Sequence, residues 1–469
     1  MTYRVHDART AAKRFILLLS SFGTLLACDI GPHDAAHQSD RDDATLVLQV
    51  TIGEQQPSAA EYQFSAIVAM LVTDDDKLWV VDGFNGSTPQ VRIYNASGVF
   101  LSHVGSAGAG PGEYHNPNSL ASLTDGRVVL RDQNLADRLT VYTSAGAIDT
   151  IWSLGRQFVS GGTGPFNAVD TSGLLWISII SRPGPNRFLA YLRVRNGAIV
   201  DTVRLPPLPE FPNRGVRLER RLPSGGLSVT GVQPPYLPFG AWALDRRARF
   251  AVARTDEYRI EILPSYGASD GSSSTIVSRD VRPVTISEDE RSDARDDLIR
   301  RMAAIGAGRR RVPEVPRHKP PIKRLTFSRD GQLLVSVSMP SRFMNGQWVE
   351  AKVYDVFDPN GRFRGRVHLP DALTLGELKG EALWGVWRDD NGVESIRRYK
   401  IQWPDLRVAS SRHLDVGTPP IAACQVHRSG APARWRLITR PCMASSRVLD
   451  RWVRAHRQVD LPTGGAHCV

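Results

Sequence analysis

An internal repeat constrains this chain more than any other feature. Asp74–Gly105 reads DDDKLWVVDGFNGSTPQVRIYNASGVFLSHVG, and Leu123–Gly155 reads LTDGRVVLRDQNLADRLTVYTSAGAIDTIWSLG. Both run through a turn, an apolar strand ending in Asp, a polar loop, an Arg-containing strand ending in Tyr, a short Gly turn and a last strand. The offset is about 48–50 residues, the length of one four-stranded β-sheet with modest loops. Local chemistry agrees with that division. RVVLRD and LTVYTS are short β-rich runs. Thr124-Asp125-Gly126 marks a hairpin, because glycine takes positive φ without a Cβ clash.

Weaker copies follow the first two. VDTSGLLWISII (169–180) precedes FLAYLRVRNGAIVDTVRL, WALDRRARFAVART (242–255) precedes YRIEILPSYG, and FSRDGQLLVSVS (327–338) precedes AKVYDVFDPNGRFRGRVHL. EALWGVWRDDNGVESIRRYKI (381–401) lacks an outermost strand, and LVLQVTI (46–52) is a strand without a neighbour in sequence. Pairing the two would complete the last sheet and remove two exposed edges. The count is six units over residues 44–403. Two insertions interrupt them. ISEDERSDARDDLIRRMAAIG (286–306) reads as an amphipathic helix, with Ser287 and Glu290 as a capping box and Leu298, Ile299, Met302 and Ile305 on one face. GRRRVPEVPRHKPPIKR (308–324) is basic and proline-rich, so extended. Residues 404–469 lose the strand alternation. They are Arg-rich, with a net charge of roughly +6, and read as a disordered tail.

GSAGAGPGEYHNP (105–117) tests whether the glycines serve a nucleotide. G-x-G-x-x-G is not met from Gly108, since Glu113 stands at the sixth position, and no Gly-Lys-Ser/Thr follows. A strand and hairpin come next, not a helix N-terminus. The glycines therefore let the chain cross from an outer strand to the next inner one. Here GAGPGEY, then NPxxLA, TDGRVVLRDxxxxR and VYxxxG, resemble six-bladed β-propellers of the NHL-repeat and TolB-like type. The resemblance covers residues 44–403, most strongly the first two units. It implies an all-β six-bladed propeller closed by an N-terminal strand, and leaves function open, because many activities share this ring.

The N-terminus carries Arg4, Arg9, Lys13 and Arg14 ahead of an apolar run, Phe15–Ala27, too short to span a bilayer. LLAC (25–28) resembles the lipobox of bacterial lipoproteins. That resemblance implies a signal peptide over 1–28, lipidation of Cys28 and a cell-envelope location outside the cytoplasm. Residues 29–43 are polar and form a tether. The remaining cysteines, Cys424, Cys442 and Cys468, lie in the tail, so the repeats stand without disulfides. The net charge of +11 favours anionic partners or surfaces. Export argues against nucleic acid, and the membrane contact expected is the lipid anchor.

Loops on a rigid scaffold usually carry binding. On the propeller reading, two sets of loops share one face and place Asp82, Asn85, Glu113, Tyr114, His115, Asp132, Asn134, Arg138, Arg182, Asn186, Arg254, Asp256, Arg342, Asn345, Arg388 and Asp389 around one mouth. Several have scaffold roles too. Asp82 and Asp132 suit turn caps, Arg92 and Arg138 pairing between units, Glu113 the cap of its own turn, and the strand tryptophans the core. No nucleophile elbow, HExxH or CxxC is present. The expected function is a binding module for a protein, peptide or glycan, with no catalytic residues and no cofactor. The alternative is a hydrolase or lyase with a channel-bound Ca2+, for which Glu113, Asp132 and Asn134 are the oxygen ligands on offer.

Overall fold

The computed structural model describes residues 43–403 apart from 54–58, 84–87, 133–137, 155–165, 182–187, 207–210, 212–214, 222–224, 226, 269–270 and 272. The signal peptide, Cys28, the tether up to residue 42 and the tail over 404–469 lie outside the described residues. The protein is all-β, with a single α-helix among the described residues.

Each repeat folds as a four-stranded antiparallel unit. The first comprises Ile67–Val72, Leu78–Asp82, Gln90–Tyr94 and Phe100–Val104. The second comprises Pro117–Ser122, Val128–Asp132, Arg138–Tyr142 and Ile148–Ser153. The third runs from Phe166–Val169 to Ala198–Arg204, and the fourth from Gly240–Leu244 to Thr275–Ser278. The fifth contains Ile322–Phe327, Leu333–Val337, Lys352–Phe357 and Phe363–Leu369. The sixth contains Leu373–Lys379, Ala382–Arg388 and Glu394–Gln402, and takes its fourth strand, Asp43–Ile52, from the start of the chain. Thr45 faces Gln402 and Ile52 faces Ile396 in that antiparallel pairing. The strand expected from LVLQVTI is therefore in place. It also does more than expected: Asp43 and Ala44 pair in parallel with Arg366 and Val367, which joins the fifth and sixth units into one eight-stranded sheet.

Both faces of these sheets are covered, which explains strands that are apolar throughout rather than alternating. In LWVVD (78–82) every side chain is buried. Trp79 and Val81 pack with Leu120, Val128 and Tyr142 of the second unit, while Leu78 and Val80 pack with Trp384 and Ile396 of the sixth. The same alternation recurs along the chain, because successive strand residues point to opposite faces. Five buried clusters join consecutive units, and a sixth joins the last unit to the first.

The turns repeat their own chemistry. Asn95, Asp170, Asp358 and Asp389 each accept, through Oδ1, backbone N–H groups two and four residues on. Each is followed three residues later by a glycine at φ between 81° and 86°. A carboxylate or amide oxygen thus holds the turn and glycine supplies the left-handed residue.

The helix forms as Glu288–Ala304, and Ser287 Oγ accepts from Glu290 N at 3.2 Å. Leu298 and Met302 are buried against Val232, Ala307 and Val315. Two expectations are corrected. Ile299 is exposed, because the apolar stripe is narrower than the spacing suggested. Glu290 does not complete a capping box. Its carboxylate is 3.1 Å from the Lys319 ammonium and accepts from Tyr236 Oη at 2.6 Å. The partner surface of the helix is a hairpin, Val216–Arg221 with Leu227–Val232, that the repeat pattern does not reveal.

Candidate functional site

The strand at the edge of each unit, Ile67–Val72 in the first and its five counterparts, contributes to one cavity of about 730 Å3. Its wall mixes polar and apolar surface in about equal parts. Leu71, Ala121, Ala168, Ala243 and Thr326 each stand one residue before the last strand pair at the hairpin turn, and Glu377 stands two before it on the sixth inner strand. Five of the six are Leu, Ala or Thr, and the sixth is a carboxylate.

A local irregularity goes with that exception. The other inner strands that shift register do so near their first residues, whereas Leu373–Lys379 shifts between Leu375 and Glu377. The bulged residue is Gly376, where an added Cβ would come within 2.0 Å of Met70 Sδ. Bulges re-aim side chains and are common beside functional sites. Glu377 Oε2 accepts from Val72 N at 2.6 Å, and Oε1 stands 3.6 Å from Arg329 Nη1. Burial pushes the Glu377 carboxyl above its ordinary value despite the Val72 N–H and Arg329.

Charged turns meet over this end of the cavity. Asp74, on the turn of the first unit, accepts from Arg329 Nε of the fifth at 2.8 Å and lies 3.5 Å from Arg246 Nη1 of the fourth. Burial alone would raise the Asp74 carboxyl, but hydrogen bonding and charge from Arg329, with Arg246 and Lys379, hold it below its usual value. Thr171 N donates to Arg246 O, and Arg329 N to Leu378 O. These bonds make a polar floor.

At the opposite ends of the inner strands lie the loops singled out from sequence. Asp82 Oδ1 accepts from Ser65 N at 2.9 Å and Ala66 N at 2.8 Å, and Oδ2 is 3.3 Å from Arg92 Nη1. Asp132 Oδ2 accepts from His115 N at 2.5 Å and Asn116 N at 3.2 Å. Arg92 donates to Gln63 O at 2.8 Å, while Arg138 donates to Ala109 O at 2.9 Å and Glu113 O at 2.6 Å. In each pair the Asp fixes where the chain enters the inner strand and the Arg grips the loop before it. Thr255 and Ser338 do comparable work in the fourth and fifth units, bonding to Phe239 and Pro320.

Within GSAGAGPGEY, Glu113 Oε2 accepts from Gly110 N at 2.6 Å. Tyr114 is buried, donating to Val104 O at 2.9 Å and accepting from Val91 N at 3.0 Å. At Gly105 (φ +60°) an added Cβ would stand 2.2 Å from Gly112 O, so the close loop needs that glycine. Arg342 pairs with Asp371, and Asn345, at φ +50°, turns the exposed hairpin Ser341–Met344 with Gln347–Glu350. Arg254 pairs with Asp256 and Arg388 with Glu394, while Asp389 caps its own turn. Asn85, Asn134, Arg182 and Asn186 lie outside the described residues. Among the described residues no group of three or more His, Cys, Asp or Glu side chains is placed to hold a metal ion. Glu113 and Asp132, two of the three oxygen ligands considered, are engaged by backbone N–H groups.

Sequence reasoning missed the floor. Asp74 and Arg329 are 255 positions apart, and Glu377 stands out only once the six inner strands are seen to share one cavity. It also missed a buried cluster at the opposite end of the fifth unit's inner strand. The Lys319 side chain is fully buried, with Glu290 at 3.1 Å and Glu350 at 3.0 Å, and Tyr236 stacks over the ammonium at 5.0 Å.

No family model matches this chain, and no curated protein matches it. Among solved structures it is similar to a member of the DUF4221 family from Bacteroides vulgatus, at 10% identity and TM-score 0.45, covering 77% of this chain and 99% of that one. It is similar to a protein from Bacteroides fragilis described as exported, at 11% identity and TM-score 0.41, covering 76% and 95%. A third is a catalytically inactive virginiamycin B lyase from Staphylococcus aureus with quinupristin, at 12% identity and TM-score 0.32, covering 76% and 98%.

Proposed function

We propose that this chain is an exported, lipid-anchored six-bladed β-propeller of the NHL-repeat and TolB-like kind that acts as a binding module. Its ligand sits in the axial chamber and on the loop face around the mouth. The observation that carries this reading is the cavity of about 730 Å3 to which all six inner strands contribute. That volume is within the range of sites for small organic ligands, which are mostly apolar with a few placed polar groups. The cyclic succession of buried clusters supports a ring. On this reading Asn85, Asn134, Arg182, Asn186, Arg342 and Asn345 stand on loops that extend the contact surface for a peptide, glycan or protein partner. Asp82, Glu113, Tyr114 and Asp132 set the shape of those loops. Cys28 carries the lipid that holds the propeller to a bacterial membrane outside the cytoplasm.

The test is a thermal-shift screen of a small-molecule collection against the exported chain and against Ala243→Trp, whose indole would fill the chamber. Compounds that stabilise the parent and lose their effect on the variant are expected. Equal shifts on both proteins would place binding elsewhere.

A further inference from the structure

We propose that the axial chamber takes a small organic anion with an apolar body, its oxyanion seated on the Arg329 guanidinium beside Glu377. This rests on the reading of the chamber as the binding site and adds the chemical class of what enters it.

Arg329 is the first observation. Its side chain is 7% exposed and lines the cavity. Nε donates to Asp74, and Nη1 is 3.6 Å from Glu377 Oε1. Nη2 is buried without a hydrogen-bond partner among the described residues. A buried charged donor without a partner is costly, and among the described residues with such an atom Arg329 is the one that also lines the cavity. An oxyanion on the chamber floor would accept from it.

Charge balance is the second. Arg246, Lys323, Arg324 and Arg329 line the chamber against two carboxylates, Asp245 and Glu377. Asp245 is committed to its own turn, accepting from Arg247 N at 2.9 Å and Arg249 N at 2.8 Å and pairing with Arg249. Lys323 is 3.0 Å from Glu350, and Asp74 pairs with both Arg329 and Arg246, which leaves Arg324 to tip the field positive among the described residues. Low-dielectric walls concentrate that field on whatever enters.

The walls are the third. Above the floor stand Leu71, Leu120, Val169 and Leu375, with Trp242 and Phe327 among the aromatic lining. These side chains offer no partner for a charge, so the part of the ligand that packs on them is apolar. A metal cation is disfavoured, because Glu377 is the one carboxylate facing the chamber that its own turn does not occupy.

The probes are 8-anilinonaphthalene-1-sulfonate and N-phenyl-1-naphthylamine, which share an aromatic body and differ by the sulfonate. Fluorescence titration of the exported chain should give one site for the sulfonate, at least about tenfold tighter than for the neutral probe. Arg329→Met should weaken the sulfonate about tenfold and leave the neutral probe within about twofold. Glu377→Gln, which fixes position 377 as neutral, should tighten the sulfonate alone. It carries the test if Arg329→Met does not fold. Equal affinity for both probes, or a sulfonate affinity that neither variant changes, overturns the anion assignment while leaving the chamber as an apolar binding site. Binding of either probe that survives Ala243→Trp places it outside the chamber and refutes the underlying reading as well. Absence of saturable sulfonate binding also overturns the proposal.

Discussion

At the residue scale, buried and paired charges hold the loops that enter the first two inner strands. Asp82 pairs with Arg92, and both side chains are about 5% exposed or less. Removing one partner of a buried, hydrogen-bonded ion pair costs about 3–5 kcal/mol, because the other charge is stranded. Asp82→Ala also frees Ser65 N and Ala66 N. Urea unfolding should show a loss of about that size, and a surface control such as Asp256→Ala less than about 1 kcal/mol. The two perturbed glutamates respond to pH in opposite senses. Burial acts to raise the Glu350 carboxyl, but the Met339 N–H, Lys323 and Lys319 outweigh it and bring it below its ordinary 4.5. Its contribution is therefore present above pH 4.5 and lost as pH falls through the lowered value. Glu377 is raised, so the fold favours its neutral form and loses stability as pH climbs from 4.5 through the raised value. Melting temperatures across pH 3–8 should show Glu350→Gln flattening the acid limb. Relative to the parent, Glu377→Gln should gain as pH rises. Parallel curves for parent and variants would contradict both assignments.

At the scale of elements, the repeat is legible because each unit must cover both faces of its sheet. That requirement produces LWVVD and RVVLRD, and the Asx–Gly turns between strands carry a local signal of their own. The helix is legible through Ser287 and the spacing of Leu298 and Met302. Its docking is not, since Glu290 finds Lys319 across a long insertion and the hairpin ending at Val232 has no repeat signature. This assembly packs through a separate cluster from those that join the sheets. Leu298 is 0% exposed, and Leu298→Ala should cost about 2–5 kcal/mol locally. Hydrogen exchange should then quicken over 216–221, 227–232 and 288–304 while strands 78–82 and 128–132 keep their protection. Uniform loss of protection would mean that the insertion and the sheets form one cooperative unit.

For the whole molecule, the shape of the candidate site depends on sheets meeting across large sequence separations. Asp74 reaches Arg246 and Arg329, and Lys379 reaches the Thr73 and Asp74 carbonyls. Sequence patterns place residues within a unit and identify loop sides, which is why Asp82, Asp132 and Glu113 could be singled out. They cannot show that Glu377 shares a chamber with Leu71 and Ala243, because that follows only when the last unit packs against the first. The chamber therefore depends on the N-terminal strand pairing with the sixth sheet. In the sixth sheet Val47 lies opposite Lys400, and both are exposed. Directly opposed residues of an antiparallel pair are close enough for a disulfide. The decisive measurement is oxidation of a full chain carrying Val47→Cys and Lys400→Cys, with its four native cysteines replaced by serine, followed by peptide mapping. An intramolecular bond between positions 47 and 400 is expected. Free thiols at both positions, or bonds only between chains, would contradict it.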